Sequence, residues 1–123
     1  MQPINEQDLN GVKQAIDDYI NAGKQGRADI LRPSVYKDAI IYSAPNGTVS
    51  GGSMETLFEF LDENPAATGM RAAITAVDIA GDIAYAKVES DNWHGNRYTD
   101  MFLLVRDGAK WKLLAKVFHT HVK

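Results

Sequence analysis

The sequence contains no cysteine, which excludes a disulfide framework, a thiol nucleophile and a zinc–thiolate site. It has no basic excess: 13 Lys and Arg stand against 16 Asp and Glu, for a net charge of −3. Nucleic-acid binding leans on Lys and Arg that neutralise phosphates, so no nucleic-acid partner is expected. No apolar run approaches the ~20 residues that span a bilayer, so no membrane partner is expected either. The opening MQPINEQDLN has neither the basic stretch nor the apolar core of a signal peptide, and the expected location is the cytoplasm. No G-x-G-x-x-G or Walker spacing follows Gly51-Gly52, and no cofactor is expected. Proline is scarce, at four residues, and no repeat, low-complexity tract or linker interrupts the chain. One domain over residues 1–123 is therefore expected.

Hydrophobic periodicity supplies the elements. Asn5 is placed to cap a helix over residues 6–23, whose stripe is Leu9, Val12, Ile16, Tyr19, Ile20 and Gly23. A short helix over 27–32 is limited by Pro33. Residues 39–44 read as a strand, Asn46-Gly47 as a hairpin turn, and 48–50 as a short return strand. Ser53 opens a third helix that carries Met54, Leu57, Phe58 and Leu61, and Asn64-Pro65 stops it. Strands follow over 70–79, 83–93, 98–105 and 111–122, with Asp107-Gly108 read as the turn of the last hairpin. Helices lead, hairpins follow. The fold class is α+β, three helices packed in the concave face of a strongly curved, mostly antiparallel sheet. A cone of this kind has a mouth where a small molecule can sit.

Several residues could line that mouth. Asp100 shares a strand face with Tyr98, Phe102 and Leu104, where a carboxylate is costly unless it is hydrogen-bonded or protonated. It lines the cavity, or else faces solvent or pairs with Lys112 or Lys116. Tyr19 is either a core tyrosine or a donor into the pocket. Asn92, Trp93 and His94 end a strand near the mouth. His119 and His121 alternate onto one face with Trp111, Leu113 and Val117. A two-residue Asp107-Gly108 turn sets Asp100 opposite about Ala115, four residues short of His119, or about 13 Å at the strand rise. A direct Asp100–His119 dyad is therefore not expected, and no metal site is. Leu114 and Phe118 fall on the opposite, outward face. An exposed apolar face of that kind implies a homodimer.

The run Tyr98-Thr99-Asp100-x-Phe102, then Asp107-Gly108-x-Lys110-Trp111-Lys112-Leu113, then Lys116-Val117-Phe118-His119, resembles the putative lumazine-binding subfamily of the nuclear-transport-factor-2-like superfamily. The element order resembles that superfamily's cystatin-like cone. Its members include ketosteroid isomerases, cyclases, dehydratases and plain binding modules. The resemblance to the isomerases implies that Tyr19 and Asp100 are the catalytic pair, if there is one, donating hydrogen bonds to an oxyanion. Their general base falls at Ser43, which cannot take up a proton near neutrality without a partner base. A histidine usual in the subfamily falls at Tyr36. The sequence expectation is a binder of a small apolar or aromatic molecule. Its ligand-binding residues are Tyr19, Tyr42, Phe58, Asn92, Trp93, Asp100, Phe102 and His119, with Ile16 beside them and Asp100 raised in pKa by burial. An isomerase, cyclase or dehydratase, and a dimeric module whose cavity is filled, are the alternatives.

Overall fold

A computed structural model describes residues 5–121. The first four residues, and Val122 at the expected end of the last strand, lie outside them. Helix α1 spans Glu6–Gln25, α2 Ala28–Leu31 and α3 Glu55–Glu63. The strands are β1 Val35–Ser43, β2 Ser50–Ser53, β3 Arg71–Ala80, β4 Ile83–Trp93, β5 Asn96–Asp107 and β6 Lys110–His121. They form one sheet in the order β2-β1-β6-β5-β4-β3. Only β1 against β6 runs parallel. This is the expected α+β cone, mostly antiparallel.

The Asn5 side chain accepts from the Gln7 and Asp8 amides and so caps α1. The inner stripe of α1, from Val12 through Ile16, Tyr19 and Ile20 to Gly23, is buried against the sheet. Gly23 lets the end of β4 come close, because a Cβ there would meet the Trp93 ring at 3.0 Å. β1 begins at Val35, earlier than its apolar core suggests, because Val35 already pairs with Leu113 of β6 ahead of a register shift before Ile40. The return strand runs over Ser50–Ser53 and not 48–50, so Ser53 ends β2, yet its hydroxyl still accepts from the Glu55 amide at the start of α3.

Two phase shifts in the sheet decide what faces inward. On β4, Ala84, Ala86, Val88 and Ser90 are buried, all at even positions. A register shift then falls between Ser90 and Trp93, with Asn92 at φ 56°. The next inward residue is the odd-numbered Trp93. On β6 the phase starts odd, with Trp111 and Leu113 buried. Pairing shifts after Leu104↔Leu113 to Leu103↔Ala115, leaving Leu114 as the extra residue of a bulge. Beyond it Lys116 turns inward and Val117 outward.

This corrects three expectations about the last hairpin. The tip is Gly108-Ala109, flanked by the pair Asp107↔Lys110, and not Asp107-Gly108. With the bulge added, Asp100 lies opposite Phe118 and not Ala115. Phe118 belongs to the inner face, while His119 and His121 do not share a face with Trp111 and Leu113. Alternation alone cannot reveal a bulge, since one extra residue inverts every side chain after it.

Candidate functional site

Between β1, β2, α3 and the ends of β4, β5 and β6 lies an open cavity of about 430 Å³. β1 contributes Ile41 and Ser43, β2 contributes Ser50 and Gly51, and α3 contributes Thr56, Leu57 and Phe60. The far wall is Trp93, Tyr98, Lys116 and Phe118. Its aromatic rings form a chain of edge contacts. Phe60 meets Trp93 at 6.2 Å, Trp93 meets Tyr98 at 5.7 Å, and Tyr98 meets Phe118 at 6.1 Å between centroids. Lys116 is the one charged residue in the lining.

Directly beneath Lys116 is a buried polar triad. The Lys116 Nζ stands 3.7 Å from Asp100 Oδ1, and the Tyr19 hydroxyl donates to Asp100 Oδ2 at 2.7 Å. Asp100 is fully buried and Lys116 is 4% exposed. The ion pair is longer than a hydrogen bond, and Asp100 Oδ1 accepts none from the described residues. Among the described residues Trp93 Nε1, in the cavity wall, also has no acceptor, nor has Ser90 Oγ a partner. Buried polar atoms of this kind call for a partner that the described residues do not supply.

Three rings surround the ammonium. Nζ lies 4.7 Å from the Tyr19 ring centroid, 4.8 Å from Phe118 and 5.6 Å from Trp93. Each such contact favours the cation by about 0.5–2 kcal/mol. Burial costs an ion several kcal/mol. Burial wins: it pushes the Lys116 amine below the ordinary lysine range, and the charge of Asp100 offsets only part of the shift. Burial first, then the Asp100 charge and hydrogen bond, push the Tyr19 hydroxyl well above its ordinary 10.0.

Tyr19 and Asp100 are thus brought together, but not as two donors side by side at the cavity. They bond to each other on its floor, and Lys116 stands between them and the open space. Ile16 and Phe102 are core residues behind them; the Phe102 ring packs on Tyr19 at 4.9 Å. Trp93 and Ser43 do line the cavity. Tyr42 does not, because it pairs with Val117 on the other face of β1. Phe58 faces a separate hollow shared with Tyr36, and Arg32 sits 4.2 Å over its ring. Asn92 donates to the Gly69 carbonyl in the loop before β3, outside the cavity. His119 is exposed on the outer face, 4.9 Å from His121. Of the aromatic lining residues, Phe60, Tyr98 and Phe118 were missed, as were Ile41, Ser50, Gly51, Thr56 and Leu57, and Lys116 was expected only as a partner for Asp100. The signal for Phe60 was its place three residues after Leu57 on α3. The signal for Lys116 was a lone lysine inside LLAKVF.

The Tyr19–Asp100 bond makes a prediction. Tyr19→Phe strands Asp100 Oδ2 and is expected to cost about 1–3 kcal/mol near neutrality. Folding holds the Tyr19 proton above pH 10.0, where the unfolded chain releases it, so the wild type loses stability as pH rises past 10.0. The gap between wild type and variant therefore narrows in alkali. Urea melts on either side of pH 10.0 measure it. A gap that stays constant refutes the assignment of that proton to Tyr19.

Comparison with known proteins bears on this geometry. A curated relative, Aldolase FrzH from Cladobotryum sp., is 29% identical over 104 residues, covering 84% of this chain and 83% of its own. The crystal structure of an NTF2-like protein of unknown function from Shewanella baltica OS155 superposes with a TM-score of 0.93 at 28% identity, covering 99% of this chain and all of the other. Another from Methylobacillus flagellatus KT gives 0.90 at 30% identity, covering 97% and 96%. The family model described as putative lumazine-binding matches residues 7–119. The chain belongs to that family, within the NTF2-like proteins of cystatin-like cone fold.

Proposed function

We infer that this protein binds a small, largely aromatic molecule through an oxygen directed at Lys116. The observation that carries the reading is the cavity itself, walled by four aromatic rings and lined by a single charge. Its size suits a small ligand, and the family's name is in keeping with a small aromatic one. Apolar rings supply area, while Lys116 rewards a carboxylate, phenolate or carbonyl oxygen at one edge. An open cavity also weighs against a module filled by its own side chains. The cytoplasmic setting expected from the sequence is kept in this reading.

The test is a titration with naphthoate, followed by quenching of Trp93 fluorescence in a Trp111→Phe background. A charge-assisted contact is worth about 1.5–3 kcal/mol, so Lys116→Met is expected to weaken binding roughly 10- to 150-fold. Ser43→Trp, which fills the cavity from β1, is expected to abolish it. Equal affinity in all three proteins defeats the reading.

A second reading, an enzyme acting on a carbonyl compound, is favoured by one observation: the curated relative is named an aldolase. Ser43 lines the cavity at the position where the isomerases place their base, and a serine there supplies none. Any such activity rests on the triad beneath it.

The homodimer belongs to the same reading. On the outer sheet face Ile83, Tyr85, Met101, Leu103 and Val117 are each about half exposed, with Leu114 beside them. A contiguous apolar surface of this kind is expected to meet its own copy about a two-fold axis. Light scattering is expected to give twice 13.5 kDa for the wild type and 13.5 kDa for a Leu103→Lys, Val117→Lys variant. A wild-type monomer at micromolar concentration contradicts it.

A further inference from the structure

Among the described lysines Lys116 alone is buried. The residue is 4% exposed, yet it lines the cavity. Asp100 Oδ1 stands 3.7 Å from Nζ and has no hydrogen-bond partner among the described residues. An amine held at the wall of an aromatic cavity, beside a carboxylate oxygen with a free lone pair, is a nucleophile with its own proton carrier.

We propose that Lys116 attacks the carbonyl carbon of an aromatic or conjugated aldehyde or ketone bound in the cavity and joins it as an imine. The inference rests on the cavity reading above and adds a covalent bond to it. In the first step the Nζ lone pair forms a carbon–nitrogen bond and the carbonyl π pair moves to oxygen. One amine proton passes through Asp100 Oδ1 to that oxygen, giving a carbinolamine. In the second step the nitrogen lone pair expels the hydroxyl. The second amine proton follows by the same route, and the oxygen leaves as water. No oxidant, reductant or second substrate is needed. Tyr19 does not touch the ligand. It is a positioning residue, fixing Asp100 through Oδ2 so that Oδ1 faces Nζ.

The surroundings support this chemistry. Burial lowers the affinity of Nζ for its proton, which enlarges the uncharged, nucleophilic fraction. The groups facing Nζ are Asp100 and the rings of Tyr19, Trp93 and Phe118. The imine is also an electron sink, so a proton on the adjacent carbon becomes acidic, and Asp100 Oδ1 is the nearest carboxylate oxygen to receive it.

The experiment uses the full chain, naphthaldehyde as the probe, cyanoborohydride to reduce any imine, and peptide mapping by mass spectrometry. The expected result is one naphthylmethyl group on Lys116, added at least about tenfold faster than on any other lysine. That rate ratio corresponds to about 1.4 kcal/mol. Added naphthoate is expected to block it. Lys116→Arg keeps a cation but loses the selective adduct; mapping the wild type gives the answer even if that variant fails to fold. Labelling spread over surface lysines, with Lys116 no faster than they are, overturns the proposal. If naphthoate still binds in that case, the cavity reading stands and only the covalent step falls. If naphthoate does not bind either, both fall.

Discussion

Asp100→Ala is expected to destabilise the protein by about 3–5 kcal/mol, because it leaves the Lys116 ammonium buried without its counter-ion. For a domain of this size that lowers the melting midpoint by on the order of 15 °C. Tyr19 loses its acceptor in the same change. Lys116 can release its proton to limit the damage, since burial already favours the neutral amine. The decisive variant is therefore the double one. Replacing both members of a buried pair by apolar residues is often neutral, so Asp100→Leu with Lys116→Met is expected to recover most of the loss. The two sites touch, and a coupling energy of roughly 1–3 kcal/mol is expected in the cycle. Thermal melts of the wild type, Asp100→Leu, Lys116→Met and the double variant measure it. Additive losses would mean that the 3.7 Å approach carries no energy.

Phe102→Ala is expected to cost a similar amount, about 3–5 kcal/mol, through cavity formation. Phe102 is 1% exposed and stacks edge-on against Tyr19. Its cross-strand neighbours are Ala86 and Lys116. An alanine and an anchored lysine cannot close over the space a ring leaves, which places the loss toward the upper end. The change also removes the support behind Tyr19, so naphthoate affinity is expected to fall although Phe102 is no part of the lining. Guanidinium melts that show a loss below ~1 kcal/mol would mean that the neighbourhood collapses freely.

Much of the architecture was legible in the sequence because it rests on long-period signals. The α1 stripe, the helix-then-hairpin order and the length of β4 to β6 all follow from apolar spacing that extends over many residues. Asp100 was legible as well, since a carboxylate flanked at i−2, i+2 and i+4 by Tyr98, Phe102 and Leu104 has to be accommodated. The cavity wall was less so. Lys116 and Phe118 reach it only through the register shift in β6, and a shift of one residue leaves no mark on composition. Tyr42 was misplaced for a related reason: the face of β1 is fixed by its parallel pairing to β6, a partner more than seventy residues away. Lysine is almost never fully buried unless paired, so Lys116 stood first as a partner for Asp100 and not as a lining group.

The extra residue at Leu114 ties two properties of the protein to a single codon. Losing that codon would exchange inside and outside along the rest of β6, turning Val117 and His119 into the cavity and Lys116 and Phe118 out of it. The same event would place a charge in the middle of the apolar outer face. The lining of the cavity and the make-up of the outer sheet face are therefore inherited together. Relatives that differ in length at this point are expected to differ in both cargo and assembly, even where every neighbouring letter is unchanged.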